Sequence, residues 1–324
     1  MPYIKDNLPY NVPYQIYMDP SNLCNFKCAF CPTGNKHLLK SVGRPAGRMK
    51  AQTFEKFFKD LRFMIEKYRE KPASINLFKD GEPLLNPDLP QMIRILSINN
   101  FSDILHLTTN GSLLTEELSN KIIKAGLKEI RFSIYGIDDS TYQKHVNRRI
   151  SFEKVKNNVK NFWKINKSLG SPVNIICQMV NTYSESEINK FRTVFEKICH
   201  VLNITQLHKW SDSEDWEMRG LRKDLPTDTN SFICAQPFSR LTVLFNGDVT
   251  PCCVDWSHKL VIGNINKNSL DHIWNVLGNK IRHQHIAGEF DSGSPCTNCD
   301  YMHRVTKYDK IYNDDNFLNK IYKY

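Results

Sequence analysis

The chain has 324 residues, enough to bury a sizeable core and to divide into one large and one small domain. It is 40% hydrophobic and 24% charged, an ordinary globular balance that excludes a disordered or fibrous chain. The formal charge of +10 comes from scattered lysines without a dense basic block or interleaved aromatics, so a solvated surface is expected rather than a nucleic acid partner, although the sign also suits a phosphorylated or nucleotide-linked substrate.

The N-terminus, Met-Pro-Tyr-Ile-Lys-Asp, has neither the basic nor the apolar region of a signal peptide. No apolar run approaches the ~20 residues that cross a bilayer, so a cytoplasmic, reducing compartment with no membrane partner is expected. From residue 14 to about 210, short apolar runs alternate with amphipathic stretches. Strands are expected at Tyr14–Asp19, Ser74–Lys79, Ile104–Thr109, Glu129–Tyr135, Val173–Val180 and Ile204–Trp210. The clearest helix, Thr53–Tyr68, puts Phe54, Phe57, Phe58, Leu61, Met64, Ile65 and Tyr68 on one face. Others are expected at Pro90–Ile98, at Thr115–Ala125 with Thr115 as N-cap, at Phe152–Leu169 and at Ser184–His200. Six strands with helices between them call for parallel pairing and right-handed crossovers. The α/β arrangement that satisfies this is a (β/α)6 partial TIM barrel, assigned to residues 1–225.

Side chains on a strand point alternately to its two faces. One parity carries Gln15, Tyr17 and Asp19; Asn76 and Phe78; His106, Thr108 and Asn110; Arg131, Ser133 and Tyr135; Asn174 and Gln178; and Gln206, His208 and Trp210. With helices covering the outside, this polar set is expected to line the lumen and hold cofactor and substrate. Cys177 then faces the helices and Cys199 falls in the last helix, both as small buried core residues. After Pro226 the texture changes: two β-prone runs flank Asn246-Gly247, a hairpin signal, and an amphipathic stretch follows through Leu270, Ile273 and Trp274. Residues 226–300 are expected to form a small second domain. The tail, 301–324, reads equally as a capping helix or a lid.

Ten cysteines in such a chain point to metal or redox chemistry rather than disulfides. Cys24, Cys28 and Cys31 lie within eight residues, as Cys-Asn-Phe-Lys-Cys-Ala-Phe-Cys. Three thiolates so close can hold an iron–sulfur cube whose fourth iron has no protein ligand, whereas structural zinc asks for four ligands and ferredoxins use other spacings. The loop resembles the Cys-x3-Cys-x2-Cys signature of the radical S-adenosylmethionine (SAM) superfamily. That resemblance implies a 4Fe-4S cluster that binds SAM and a 5′-deoxyadenosyl radical, with Phe30 as the aromatic near the adenine. Lys79-Asp-Gly-Glu-Pro83 is similar to the family's Gly-Gly-Glu-Pro, which implies that Gly81, Glu82 and Pro83 hold the cofactor's methionine end. Asp80 departs from that pattern. Thr108-Thr-Asn-Gly111 and Phe132-Ser-Ile-Tyr-Gly136 resemble two further family segments, implying cofactor contacts from Asn110 and Ser133, with Gln178 beside them.

The later cysteines resemble the SPASM or twitch extension of these enzymes, which carries auxiliary 4Fe-4S clusters. Its Gly-x4-Cys element matches Gly247 to Cys252, which favours Cys252 over Cys253. Cys234, Cys252, Cys296 and Cys299 then close one auxiliary cluster, since two would need about seven or more cysteines; structural zinc is the alternative. The expected function is a radical SAM oxidoreductase acting on a small-molecule alcohol (sugar, aminocyclitol or nucleotide-linked), with the auxiliary cluster taking the electron and a ketone or aldehyde as product. Parity nominates His208 first as the base, then Tyr17 and Arg131. A flavodoxin or ferredoxin is the expected electron donor. The alternatives are an epimerase with Cys253 as hydrogen donor, a peptide- or protein-modifying maturase, and a non-catalytic electron-transfer protein.

Overall fold

A computed structural model describes residues 10–180, 184–205, 232–297, 299 and 310–312. They fall into two compact units that cut across chain order. One takes Met18–Ala51 and the described residues from Ser74 to Thr205; the other takes the described residues up to Tyr17, Gln52–Ala73 and those from Phe232 on. The expected boundary at 225/226 lies outside the described residues. Among the described residues no helix is long and apolar enough to cross a membrane.

The first strand, β1 (Gln15–Met18), buries Ile16 and Met18 completely and leaves Gln15 and Tyr17 half-buried. Then follow β2 (Ser74–Asn76), β3 (Leu105–Thr109), β4 (Glu129–Ser133), β5 (Asn174–Val180) and β6 (Val201–Thr205). These five lie side by side in chain order, every pair parallel, with Asn76 opposite His106, Thr108 opposite Arg131 and Gln178 opposite Asn203. The expected alternation is present: Leu105 and Leu107 of β3 and Ile130 and Phe132 of β4 are buried, while His106, Thr108, Arg131 and Ser133 are half-buried. The buried parity meets the helices, as where Phe132 takes the edge of Phe162 at 5.7 Å between ring centres. Each such buried side chain is worth about 1.5–3 kcal/mol.

Local signals explain most helix ends. Thr115 accepts from Leu118 N at 3.1 Å and opens Glu116–Lys124, and Gly126, at φ +97°, lies just beyond its end. Asp138 and Thr141 form a capping box that starts Asp139–Val146, a helix absent from the expected set although its signature is in the sequence. The helix expected to run to His200 stops at Phe195. His200 is already engaged with β5, donating its N–H to Ile175 O and accepting Ile175 N–H at Nδ1, 2.9 Å, so the sheet captures the chain early. Cys199 therefore sits in the connection between that helix and β6, buried against Cys177, and β6 begins at Val201. Gln206, His208 and Trp210, from the expected last strand, lie outside the described residues. The strand expected over Ser74–Lys79 ends at Asn76, because Lys79 and Asp80 leave the sheet to form buried ion pairs.

In the other unit the Asn246-Gly247 turn joins β8 (Arg240–Val243) to β9 (Asp248–Thr250), preceded by β7 (Phe232–Cys234). Gly247 has φ +88°, and Asn246 Oδ1 accepts from Asp248 N at 3.1 Å. A third strand, β10 (Gly263–Asn264), pairs antiparallel with β9. Trp274 is fully buried, donating Nε1–H to Tyr10 O at 2.8 Å with the Arg282 guanidinium 4.2 Å from its ring centre. In the tail, β11 (Lys310–Tyr312) pairs antiparallel with β7, Lys310 opposite Cys234, so this piece is a strand rather than the helix or lid considered.

Candidate functional site

The cysteine loop begins five residues after Asp19 and is held by main-chain bonds. Lys27 N donates to Val146 O at 3.0 Å and Ala29 N to His145 O at 2.9 Å. Cys31 N donates to Cys28 O at 3.0 Å and Gly34 N to Cys31 O at 2.9 Å, curling the loop around its own thiols. Cys28 is buried, and Cys24 and Cys31 are half-buried. Burial pushes the Cys24 thiol up to about 12, with a smaller contribution from Cys31. Burial also raises Cys28, and the Cys31 and Cys24 thiols add to it, so the three groups are neighbours. Thiols so disfavoured as anions become ligands when a cation offsets their charge. Among the described residues no three Cys, His, Asp or Glu side chains reach the geometry of a bound single metal ion. Phe30 stands 5.5 Å from Tyr135, and Phe26 6.2 Å from the same ring, giving the loop an aromatic wall.

The segment after β2 closes against this loop. A Cβ at Gly81 would stand 2.3 Å from Ser21 O and 2.4 Å from Leu23 O, so only glycine fits. Next to it Glu82 N donates to Leu23 O at 2.8 Å, and Pro83 opens a short 3-10 turn. The Glu82 carboxylate, 2% exposed, accepts from Thr109 Oγ1 at 2.6 Å, Asn110 N at 2.8 Å and Leu84 N at 3.0 Å. Burial nevertheless raises it to about 7. Asn110 Nδ2 donates to Asn25 Oδ1 at 2.9 Å, and Asn25 Nδ2 to Ser112 Oγ at 2.8 Å. The cysteine loop, the Gly81–Pro83 turn and the Asn110 turn thus form one hydrogen-bonded body at the carboxyl ends of the strands, where open α/β sheets bind ligands.

Ser133 and Gln178 are paired in register on β4 and β5, and Gln178 Oε1 accepts from Asn203 Nδ2 at 2.9 Å. Arg131 has the expected parity, with Nη2 3.9 Å from Glu129 Oε1. Glu129 also takes His106 Nδ1 at 2.9 Å, toward the amino ends of the strands and so away from the cysteine loop. Tyr17 belongs to the other unit, and His208 lies outside the described residues. Sequence reasoning missed Arg44 and Lys79 and left Asp80 without a role. Arg44 Nη1 is 3.4 Å from Asp80 Oδ2 and Lys79 Nζ 2.5 Å from Asp80 Oδ1, both buried. The signal available was the departure at position 80 itself.

The later cysteines also gather. Burial raises Cys234, and the Cys299 and Cys296 thiols add to it; Cys252 is raised by burial and by Cys253, Cys299, Asp255 and Cys234. Cys253 makes a contact of its own, its Sγ 3.3 Å from Gln236 Oε1 and 3.9 Å from Arg240 Nη1. His285 Nε2 lies 3.6 Å from Cys296 Sγ, a neighbour that no cysteine spacing could announce. Both donor sets are soft thiols, three on one loop and four brought from three segments, which suits iron–sulfur clusters.

Residues 18–192 match the model of the radical SAM superfamily, and residues 234–300 that of SPASM, an iron-sulfur cluster-binding domain. The chain is 28% identical over 196 residues to the GTP 3′,8-cyclase of Aquifex aeolicus (strain VF5), a match covering 60% of this chain and 56% of that protein. It is 26% identical over 165 residues to the dTDP-4-amino-4,6-dideoxy-D-glucose ammonia-lyase of Streptomyces venezuelae, covering 50% of this chain and 32% of that one. The matches therefore span about half, or less, of these relatives' lengths. Among solved structures, Streptococcus suis SuiB bound to the precursor peptide SuiA aligns at a TM-score of 0.64 and 14% identity, covering 85% of this chain and 67% of that chain. That likeness is one of fold.

Proposed function

The chain belongs to the radical SAM superfamily, with SAM and 4Fe-4S clusters as its cofactors, and we propose that it oxidises a hydroxyl group on a small, nucleotide-linked substrate. When bound, the reduced cluster and SAM would supply hydrogen-atom abstraction chemistry, directed here at the carbinol carbon. Cys24, Cys28 and Cys31 would hold the first cluster, with Gly81, Glu82, Pro83 and Asn110 shaping the cofactor's cradle and Phe30 and Tyr135 walling its aromatic side. Cys234, Cys252, Cys296 and Cys299 would hold the second. What supports the reading is that Cys299 and Cys296 lie near Cys234, and Cys299 and Cys234 near Cys252: four thiolates there would leave a cluster no open iron, so it would have no place for substrate and would suit accepting an electron. Oxidation of an alcohol by hydrogen-atom loss requires that acceptor, and a base for the hydroxyl proton.

Both relatives bear names of nucleotide chemistry, one on GTP and one on a dTDP-linked amino sugar, and the formal charge of +10 suits a phosphorylated ligand. They act as a cyclase and a lyase by name, so oxidation is the part of the reading that rests on the second site. The test uses anaerobically reconstituted protein, dithionite, SAM and nucleotide-linked sugars deuterated at single carbinol carbons. About eight irons per chain, deuterium in 5′-deoxyadenosine and a new carbonyl are expected. Deuterium transfer without a carbonyl product would overturn oxidation.

A further inference from the structure

Four charged side chains meet beside the cysteine loop, within one unit. Asp19 is fully buried, and Asp80 N lies 3.5 Å from its Oδ1. The Asp80 carboxylate takes Lys79 Nζ at 2.5 Å on one oxygen and Arg44 Nη1 at 3.4 Å on the other, all three side chains at most 2% exposed. Arg44 then reaches on, Nη2 donating to Thr33 Oγ1 at 3.1 Å, and Thr33, two residues past Cys31, lies beside that thiol and favours its anion. The Cys31 thiol also feels the Asp80 carboxylate directly. Burying four charges is expensive, and breaking such a group is more so. Here it stands at a position where the related motif has a glycine with no side chain at all.

We propose that Asp80 is a positioning residue for the first cluster: through Arg44 and Thr33 it fixes the Cys31 side of the loop, and the balance of Asp19 and Asp80 against Arg44 and Lys79 sets how readily that cluster is reduced. The inference rests on reading Cys24, Cys28 and Cys31 as the cluster's ligands. Two anions against two cations leave the group neutral. A cluster's reduction potential follows the net charge and the hydrogen bonds around its sulfurs. Charges buried this deeply act through little screening, so removal of one tips the potential toward the sign that remains.

The test is a potentiometric titration of reconstituted wild-type, D80N and K79Q protein, followed by electron paramagnetic resonance. The signal that changes when SAM is added belongs to the first cluster. Measurements are made at pH 8.5 and again at pH 9.5, because burial and the Asp80 carboxylate raise Asp19 to about 7 and K79Q removes a cation that holds it down; the higher pH keeps Asp19 charged in that variant too. D80N leaves an excess positive charge and should favour the reduced cluster about tenfold, or ~59 mV upward for one electron. K79Q keeps the Arg44–Thr33 tie but leaves an excess negative charge, and should shift the ratio about tenfold the other way. Opposite shifts support the proposal; a purely structural role moves neither potential or moves both alike, and either result overturns it. Should D80N take up no iron, K79Q decides alone, an unmoved potential being the refutation. A wild-type protein whose signal ignores SAM removes the cysteine assignment instead, which is a separate failure.

Discussion

Gly81→Ala is the sharpest single perturbation of the site. The added methyl would meet Ser21 O at 2.3 Å, Leu23 O at 2.4 Å and Asn22 C at 2.6 Å, all main-chain atoms of the segment that leads into Cys24. Ordinary contact is near ~3.5 Å, so one strand of backbone must retreat by about 1 Å. Overpacking of this kind costs about 1–3 kcal/mol. The retreat also stretches the 2.8 Å bond from Glu82 N to Leu23 O, worth about 0.5–1.5 kcal/mol more. A total of about 1.5–4.5 kcal/mol is therefore expected in urea unfolding of the variant. Because the displaced atoms precede the first ligand cysteine, SAM affinity measured by calorimetry should fall at least tenfold even where iron is retained. A variant with wild-type stability and wild-type SAM affinity would refute the claim that this contact holds the two loops in register.

Glu82 should give the protein a distinctive pH profile. Its proton is held more tightly in the folded chain, at about 7, than at the ordinary 4.5, mainly through burial. The stabilisation is thus complete below pH 4.5 and is lost as the pH rises through about 7, some ~3 kcal/mol in all. Urea unfolding of the apoprotein between pH 4.5 and 8 should show that decline in the wild type and lack it in E82Q; equal slopes would count against a buried carboxyl. For the second site, C252A should lose about four irons on reconstitution and C253A none, because Cys253 bonds Gln236 while Cys252 adjoins Cys234 and Cys299. Loss of iron from C253A alone would reverse the assignment.

Much of this was legible because it is local. The spacing of Cys24, Cys28 and Cys31, the N-cap at Thr115 and the Asn246-Gly247 turn each depend on residues a few positions apart, and the structure realises all three. Strand parity was legible for the same reason, separating His106 and Arg131 from Leu107 and Phe132. What stayed hidden depends on long-range pairing. The early end of the helix at Phe195 follows from His200 joining β5, and no periodicity within the helix foretells it. β11 is three residues long, too short for any alternation to be read, and exists by pairing with β7. His285 beside Cys296 and Arg44 against Asp80 are likewise meetings that only the fold arranges.

The two residues before Glu82 illustrate why a motif can be broken at one position and not at the next. Position 81 touches main chain on the side where a Cβ would project, so no rearrangement of side chains could admit one. Position 80 carries an aspartate that is almost wholly buried, which means the same turn has room for a side chain there. What it lacks is water, so a carboxylate at 80 is tolerable only with cations supplied from within the fold. Lys79 provides one from the adjacent position and Arg44 another from the segment beyond the cysteine loop. The substitution is therefore one part of a set, and putting glycine back at 80 would strip two buried cations of their carboxylate. Departure from the family pattern at Asp80 and the presence of Arg44 and Lys79 are one feature of this chain, and the hydrogen bond from Arg44 to Thr33 carries that feature to the cysteine loop.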